Sequence, residues 1–312
     1  MNNPSSVRDP FAMQSTKRRE VIISEEEAAS WIRDGMTISI GGFLNSSHPM
    51  AVIRMIIRNG TKNLTVIGAA SAGLETDLLI GAGCVKTVIA PMISGESLAP
   101  IGPMFRYAAQ RGELEVIELD EHMYYQGLRA AAALLPSLPW RGGVGTDYAT
   151  VNTRLKEFAD PITGELLLAI PALHIDVALI HAGAADPYGN VQHVGTGFGD
   201  RSHHRAADKT IVTVDKVIPN EEVRADPYRT SIASVDAVVR APYGSHPYAS
   251  PGHYLEDSTH IREYVSAATA VLKEGNRAPL EAYLRRYMFE PASHAQYLER
   301  IGFERILSLY EV

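Results

Sequence analysis

Small side chains with a few polar neighbours occur in three short segments, each directly after a run of β-branched and apolar residues. The candidate ligand-contacting residues are Gly41, Gly42, Phe43 and Asn45 in the first segment, Ser71, Ala72 and Gly73 in the second, and Ser94, Gly95 and Glu96 in the third. A glycine lets a ligand or another backbone come close because no Cβ atom stands in the way. Open parallel sheets bind ligands beyond the carboxyl ends of their strands. The three segments therefore predict one shared binding edge, although the three-glycine dinucleotide fingerprint is absent.

The other reactive residue types point to structural roles. Cys84 is the single cysteine and lies in an apolar stretch, so we expect a buried thiol rather than a nucleophile. His203 and His204 have Arg201 and Arg205 beside them and no second acid or cysteine at metal-ligand spacing. We therefore expect no metal site and no permanently bound cofactor.

The three segments need a scaffold that brings strand ends together, and the hydrophobic pattern indicates one. From residue 21 onward, short β-branched runs alternate with helical patterns, which is typical of a parallel sheet covered by helices. Strands are predicted at 37–41, 64–69, 86–91, 114–119, 166–171, 177–182, 210–216 and 237–241. Helices are predicted at 24–33, 50–59, 74–82, 98–111, 121–135 and 200–208. The predicted fold class is α/β, a mostly parallel open sheet with helices on both faces.

The domain organisation follows from the same pattern. Residues 1–20 are expected to be a mobile tail, and 21–312 a single domain that contains a loop-rich excursion at 136–165. Excursions of this length in a compact domain are more often functional than idle. The C-terminal region is helical, with segments at 257–274, 279–288 and 292–301. For the first helix of the domain, Ser24 and Glu27 predict a capping box and Gly35 a left-handed C-cap.

Composition excludes several classes of protein. The net charge is −7 over 312 residues, and the 29 Lys and Arg are dispersed, so a nucleic-acid partner is not expected. No apolar run is long enough to span a membrane, and the N-terminal residues lack the apolar core of a signal peptide. Cytoplasmic residence is the expectation. A ligand-sensing regulator is disfavoured because residues 1–36 contain no basic recognition helix.

Several segments together resemble a known family. Residues 34–49 resemble the signature of the α-type subunit of family I coenzyme A transferases. The order of 64–68, 235–247 and 296–302 along the chain is similar to that in the A-type subunits of glutaconate CoA-transferases, and the resemblance spans about 22–310. It implies the family's α/β fold, an acyl-CoA thioester and a carboxylate as substrates, and a heterodimer or heterotetramer with a β-type subunit, with the active site between the two.

The resemblance also implies where the nucleophile lies. In this family a glutamate attacks the thioester, and the β-type subunit normally carries it in a Ser-Glu-Asn-Gly-like motif. That motif is absent here, since the nearest dipeptide is Glu274-Gly275 in the late helical region. The chain is therefore expected to be the α-type half, with the glutamate supplied by its partner.

Glu121 departs from the glutaconate-type pattern, in which a glutamine stands at this place. A glutamine amide can donate a hydrogen bond to an oxyanion, whereas a carboxylate can only accept. A glutamate here resembles instead the α-type subunit of cholesterol ring-cleaving CoA-ester hydrolases, where it would act as a base. An acidic residue in the first turn of a helix is also favoured by the helix dipole alone. Transfer and hydrolysis both stay open at this point.

Overall fold

The structure is a computed structural model that describes residues 19–310. Its strands are β1 Thr37–Ile40, β2 Leu64–Ile67, β3 Val85–Ile89, β4 Glu115–Ile117, β5 Ser137–Trp140, β6 Lys156–Ala159, β7 Leu166–Pro171, β8 Ile175–Ala185, β9 Val191–Gln192, β10 Ala207–Val217 and β11 Ala237–Arg240. Its helices are α1 Glu25–Ser30, α2 Met50–Asn59, α3 Leu74–Gly81, α4 Pro103–Gln110, α5 Glu121–Ala132, α6 Tyr148–Val151, α7 Asp200–Ala206, α8 Asn220–Ala225, α9 Ser258–Glu274, α10 Ala278–Leu284, α11 His294–Ile301 and α12 Phe303–Ser308. A 3-10 turn at Pro227–Arg229 and a π-helical segment at Arg285–Phe289 complete the described elements.

The main sheet is parallel and its order reverses in the middle. The strands lie in the order β11-β10-β8-β1-β2-β3-β4, all neighbours are parallel, and the short β9 pairs antiparallel with β8. From β1 the chain builds one half of the sheet through β4, then returns to place β8 on the other side of β1. A reversal of this kind opens a crevice at the carboxyl ends of the two central strands. The predicted α/β fold with a mostly parallel sheet is confirmed.

The hydrophobic core lies on both faces of this sheet. Val177 and Leu179 of β8 pack into the cluster that contains residues of α1–α4 and α9. Their neighbours Ala178 and Ile180 point the other way, into clusters that include residues of α5 and α7 or of β10 and β11. Alternation of this kind is the period of a strand buried on both faces. The predicted packing of helices on both faces of the sheet is therefore present.

The excursion predicted to be loop-rich is partly ordered. Residues 136–165 contain β5, α6 and β6, and these two strands pair antiparallel with β7 in a separate sheet of order β5-β7-β6. The prediction was wrong in treating 166–171 as part of the parallel alternation, because this strand closes the excursion instead. Pro139 and the turn residues around it concealed the strand pattern, and Pro is tolerated on an edge strand such as β5.

The remaining predicted strands occur with ends displaced by up to three residues. Helix prediction was less accurate at the ends: α1 stops at Ser30, and α4 begins only at Pro103. Ser24 caps α1, its hydroxyl accepting the Glu27 N–H at 3.1 Å. Gly35 has a φ of +79° but is not the C-cap; its N–H donates to Lys62 O, so it turns the chain into β1.

The C-terminal helices are present as predicted, with a π-helical segment dividing the second from the third. Of the tail predicted at 1–20, residues 1–18 lie outside the described residues. No helix within 19–310 combines the length and apolarity that crossing a membrane would need.

Candidate functional site

The three segments singled out in the sequence meet at one edge of the sheet, where we call them loop 1 (residues 41–47), loop 2 (68–73) and loop 3 (92–97). Leu44 N–H of loop 1 donates to Ser71 O of loop 2 at 2.9 Å. Ala72 of loop 2 donates to Met92 O at 3.1 Å and accepts from Ser94 N–H at 2.9 Å, both in loop 3. The loops therefore form one continuous backbone ledge beyond β1, β2 and β3.

Loop 1 uses its own amide groups to hold its shape. The N–H of Gly41 donates to Leu179 O at 2.8 Å, that of Gly42 to Asp200 Oδ1 at 2.9 Å, and that of Phe43 to Ser46 O at 2.9 Å. Since Leu44 N–H is bonded to loop 2, four successive amides are occupied. Each of these four amides already has an acceptor in the fold, so none of them is free to donate to a ligand.

The glycines of loops 1 and 2 are required by close contact. A Cβ on Gly42 would lie 2.6 Å from the carbonyl oxygens of Ser46 and Ser47, and the residue has a φ of +93°. A Cβ on Gly73 would overlap Leu44 O of loop 1. Contacts below 3 Å do not occur for real side chains, so the loops can approach each other only because these positions lack one.

His48 holds the carbonyl groups of loop 1 from beneath. Its Nδ1 lies 2.8 Å from Gly41 O and its Nε2 2.7 Å from Leu44 O. A carbonyl oxygen only accepts, so each contact is a hydrogen bond that the ring nitrogen donates. The carboxylate of Glu75 lies 3.4 Å from Nε2, and both side chains are fully buried. Together these contacts hold loop 1 from its carbonyl side.

A fourth loop, residues 193–199, reaches loop 1 from β9, and we call it loop 4. Phe198 of loop 4 stacks on Phe43 with ring centroids 5.3 Å apart and an angle of 8° between the planes. Asp200, two residues after Phe198, accepts the Gly42 N–H. Sequence analysis missed this loop, although the alternating Gly195, Gly197 and Gly199 after a short strand are a signal of the same kind as the glycines in loop 1.

Backbone strain is concentrated at this edge. In the described chain, non-glycine residues with positive φ number eight, and four of them lie in loops 1, 3 and 4: Leu44, Ser47, Glu96 and Phe198. For a bulky residue such as Phe198, a φ of +44° costs conformational free energy, so the residue keeps this conformation only where its surroundings impose it. Such clusters mark binding and catalytic sites more often than ordinary loops.

Loop 3 and Asn45 complete the surface. Ser94 Oγ accepts the Glu96 N–H at 2.9 Å, which leaves the Glu96 side chain exposed. Gly95 is buried against Leu74, where a Cβ would lie 2.6 Å from the leucine side chain. Asn45 Oδ1 is buried and has no hydrogen-bond partner within 19–310. A buried acceptor without a donor costs free energy, so this atom points to a donor from outside the chain.

Glu121 begins α5, directly beyond the end of β4. Asp120 caps the helix by accepting Met123 N–H at 2.7 Å, and the Glu121 side chain itself is exposed. Burial raises the pKa of Tyr125, and the nearby charges of Glu121 and then of Asp200 raise it further. Tyr125 follows Glu121 by about one turn of α5, and its hydroxyl would lie 3.0 Å from a Cβ on Gly199, so Glu121 is on the face of α5 next to loop 4, without being buried there.

His181, His246 and Cys84 lie in the interior. His181 Nδ1 contacts Thr213 Oγ1 at 2.9 Å, and its Nε2 lies 3.3 Å from Asp215, below the strand ends. His246 lies between Asp257 and other buried groups. Cys84 is 1% exposed, and burial raises the pKa of its thiol to about 11, as expected of an unreactive core thiol. Within 19–310 no three His, Cys, Asp or Glu side chains are grouped to hold a metal ion.

Comparison with known proteins identifies the family. Residues 22–241 match the family model described as coenzyme A transferase. The A-type subunit of glutaconate CoA-transferase from Acidaminococcus fermentans is 30% identical over 93% of this chain and 94% of that protein. The crystal structure of glutaconate CoA-transferase from that organism superimposes with a TM-score of 0.86, covering 93% of this chain and 96% of that chain.

Two further relatives extend the comparison. The cholesterol ring-cleaving hydrolase IpdA subunit of Rhodococcus jostii is 36% identical over 80% of this chain and 88% of that protein. A protein of Archaeoglobus fulgidus is 36% identical over 93% of this chain, which spans only 65% of its length. The chain belongs to the coenzyme A transferase family of enzymes, as its sequence motifs predicted.

Proposed function

We propose that this chain is the α-type subunit of a heteromeric CoA transferase, which moves CoA from an acyl-CoA to a carboxylate acceptor. A β-type partner would supply the glutamate nucleophile. In the balanced reaction the acyl-CoA gives up its CoA to the acceptor carboxylate and leaves as a free carboxylate, with no net use of water. The substrate is a CoA thioester, so the proposal requires no resident cofactor.

The observation that carries the proposal is the joined ledge of loops 1, 2 and 3. Its small residues let a thioester approach the ends of three adjacent strands, and its internal hydrogen bonds keep the surface rigid without a ligand. Strained residues and the unpaired Asn45 Oδ1 lie on the same ledge. Family membership and the 0.86 TM-score to a glutaconate CoA-transferase support a CoA thioester as its occupant.

The exposure of this edge to solvent supports the proposal of a partner subunit that covers it. Glu96 of loop 3 and Glu121 at the start of α5 are both exposed, and an acyl anhydride formed on an exposed carboxylate would be hydrolysed by water. A nucleophilic glutamate therefore needs a cover over the ledge. Several relatives are named as A-type or alpha subunits, which implies a second polypeptide in those enzymes and supports a β-type chain as the cover.

The test is a transfer assay on the purified pair of this chain and its β-type partner. Acyl-CoA esters of short mono- and dicarboxylic acids are supplied with and without acetate, and acetyl-CoA and free CoA thiol are measured separately. We expect acetyl-CoA that depends on acetate and little free thiol. Free thiol released at the same rate without acetate would contradict a transferase.

Hydrolysis of a CoA ester is the second candidate, and two observations favour it. Glu121 provides a carboxylate where the glutaconate-type pattern has an amide, and it lies at the edge of the ledge near Tyr125. The chain is also 36% identical to a protein named as part of a ring-cleaving hydrolase. In this alternative Glu121 acts as a base that activates water or removes a proton from the substrate.

Glu121→Gln separates the two candidates, because it removes the base and restores an amide donor. A transferase should keep its rate or gain, whereas a hydrolase that uses this base should lose a factor of about 100 or more. Glu299→Gln, the same change at an exposed position of α11, is the matched control and should leave either activity unchanged. A tenfold or larger loss of acetate-dependent transfer in Glu121→Gln would contradict the passive role that the transferase proposal gives to this residue.

A further inference from the structure

Helix α7 carries two buried side chains one turn apart, and each is connected to a different loop of the ledge. Asp200 and His203 are both fully buried. Side chains three residues apart lie on the same face of a helix. Asp200 bonds to loop 1, and His203 is connected to loop 2 through a tyrosine.

The Asp200 carboxylate is occupied on both oxygens. Oδ1 accepts the N–H of Gly42 at 2.9 Å, and Oδ2 lies 3.0 Å from His193 Nε2. His193 in turn contacts Ser231 Oγ at 2.6 Å through Nδ1. A Cβ on Gly41 would overlap the same carboxylate, so loop 1 rests directly on it. The carboxylate is thus fixed from behind by loop 4 and fixes the Gly42 amide in front.

In the connection to loop 2, the donor and the acceptor of each hydrogen bond can be assigned. Tyr124 Oη lies 2.6 Å from Gly68 O and 2.9 Å from His203 Nε2. The carbonyl can only accept, so the single phenol proton goes to Gly68 O and His203 Nε2 donates to Tyr124. Burial lowers the pKa of His203 to about 4, so the ring is neutral and its one proton is on Nε2.

We infer that Asp200 and His203 are positioning residues, which set the spacing of loops 1 and 2 by attaching both loops to one turn of α7. Leu44 N–H to Ser71 O is the direct bond between these loops, and α7 supplies a second, independent connection. Two connections at different points fix an orientation, which one hydrogen bond cannot do. The catalytic consequence rests on the proposed function; the attachment itself does not.

Amide hydrogen exchange on the isolated chain tests the attachment. Asp200→Ala should raise the exchange rate of the Gly42 amide about tenfold or more, since it removes a bond to a charged acceptor. Asp200→Asn keeps an oxygen for this amide and should restore most of the protection. Tyr124→Phe removes the hydroxyl with little change of shape and should raise exchange in 68–73. Arg205→Ala, an exposed position of the same helix, is the control and should change neither.

Turnover of the complex with its β-type partner tests the consequence. We expect Asp200→Ala and Tyr124→Phe to lower kcat about tenfold with KM within threefold, and Asp200→Asn to recover to within threefold of the unchanged protein. Unaltered exchange at Gly42 in Asp200→Ala, or equal kcat losses in Asp200→Ala and Asp200→Asn, would overturn the inference. An inactive wild-type complex would count against the proposed function, and the exchange rates would still decide the attachment.

Discussion

Gly42→Ala is the most direct test of how loop 1 is built. The added methyl would stand 2.6 Å from the oxygens of Ser46 and Ser47 and 2.8 Å from His48 Nδ1, on a backbone with φ +93°. Two of these atoms belong to the backbone, and Ser46 O is bonded to Phe43 N–H at 2.9 Å. The clash therefore cannot be relieved by rotating a side chain, and the loop must shift.

The expected cost has two parts. A Cβ at positive φ costs about 1–2 kcal/mol, and forcing extra volume into a packed site costs about 1–3 kcal/mol. Gly35→Ala separates them, because Gly35 also has a positive φ of +79° but no atom within 4 Å of the added methyl. We expect Gly42→Ala to be about 2 kcal/mol less stable than Gly35→Ala.

Urea unfolding of both variants, followed by circular dichroism at one pH and temperature, gives the comparison. Turnover with the β-type partner should fall at least tenfold in Gly42→Ala and stay near normal in Gly35→Ala. Equal stability of the two variants would refute the packing described for loop 1. Normal turnover in a destabilised Gly42→Ala would remove loop 1 from the site.

Three further predictions concern buried ionisable groups. Burial raises the pKa of Asp77 to about 6 even though Tyr264 donates to it. The unfolded chain therefore ionises this carboxyl at a lower pH than the folded chain does, and the stability of the wild type falls as the pH rises from about 4 to about 6. Asp77→Asn removes this loss, so in urea unfolding its stability relative to the wild type should rise by up to about 3 kcal/mol between pH 4 and pH 7. Burial raises the pKa of Asp257, but hydrogen bonds from His246 and Arg305 outweigh it and hold the value well below the ordinary range. Arg305→Ala, at a partly exposed position, should cost about 1–2 kcal/mol at pH 7. The difference should shrink progressively as the pH falls below about 4, so a constant difference would refute the pairing. Cys84, with its raised pKa and 1% exposure, should react with a thiol reagent only after unfolding, and rapid labelling of the native chain would contradict its burial.

Local patterns were sufficient for much of the fold. Alternating β-branched runs identified the strands of the parallel sheet, because a strand buried on both faces is apolar over its length. Ser24 was recognised as a cap because its hydroxyl needs only a neighbour three residues away. The ends of helices were less predictable. Helix α4 begins at Pro103 rather than at residue 98, since Gly102 N–H donates back to Ile93 O of loop 3 and Phe105 N–H to Asp77 Oδ1 of α3, and no local pattern predicts these contacts.

The chain's own sequence determined that loops 1, 2 and 3 would lie at one edge, since parallel strands bring their carboxyl ends together. Only the tertiary structure decided how that edge is used. The four amides of Gly41 through Leu44 are consumed within the fold, and their partners Leu179, Asp200, Ser46 and Ser71 lie up to 158 positions away in the sequence. The carboxylate that holds Gly42 comes from α7, whose sequence offered only two histidines with an arginine on either side and no sign of a bond to loop 1. Hydrogen-bond partners so far apart are chosen by the packing of whole elements, which no local pattern of residues records.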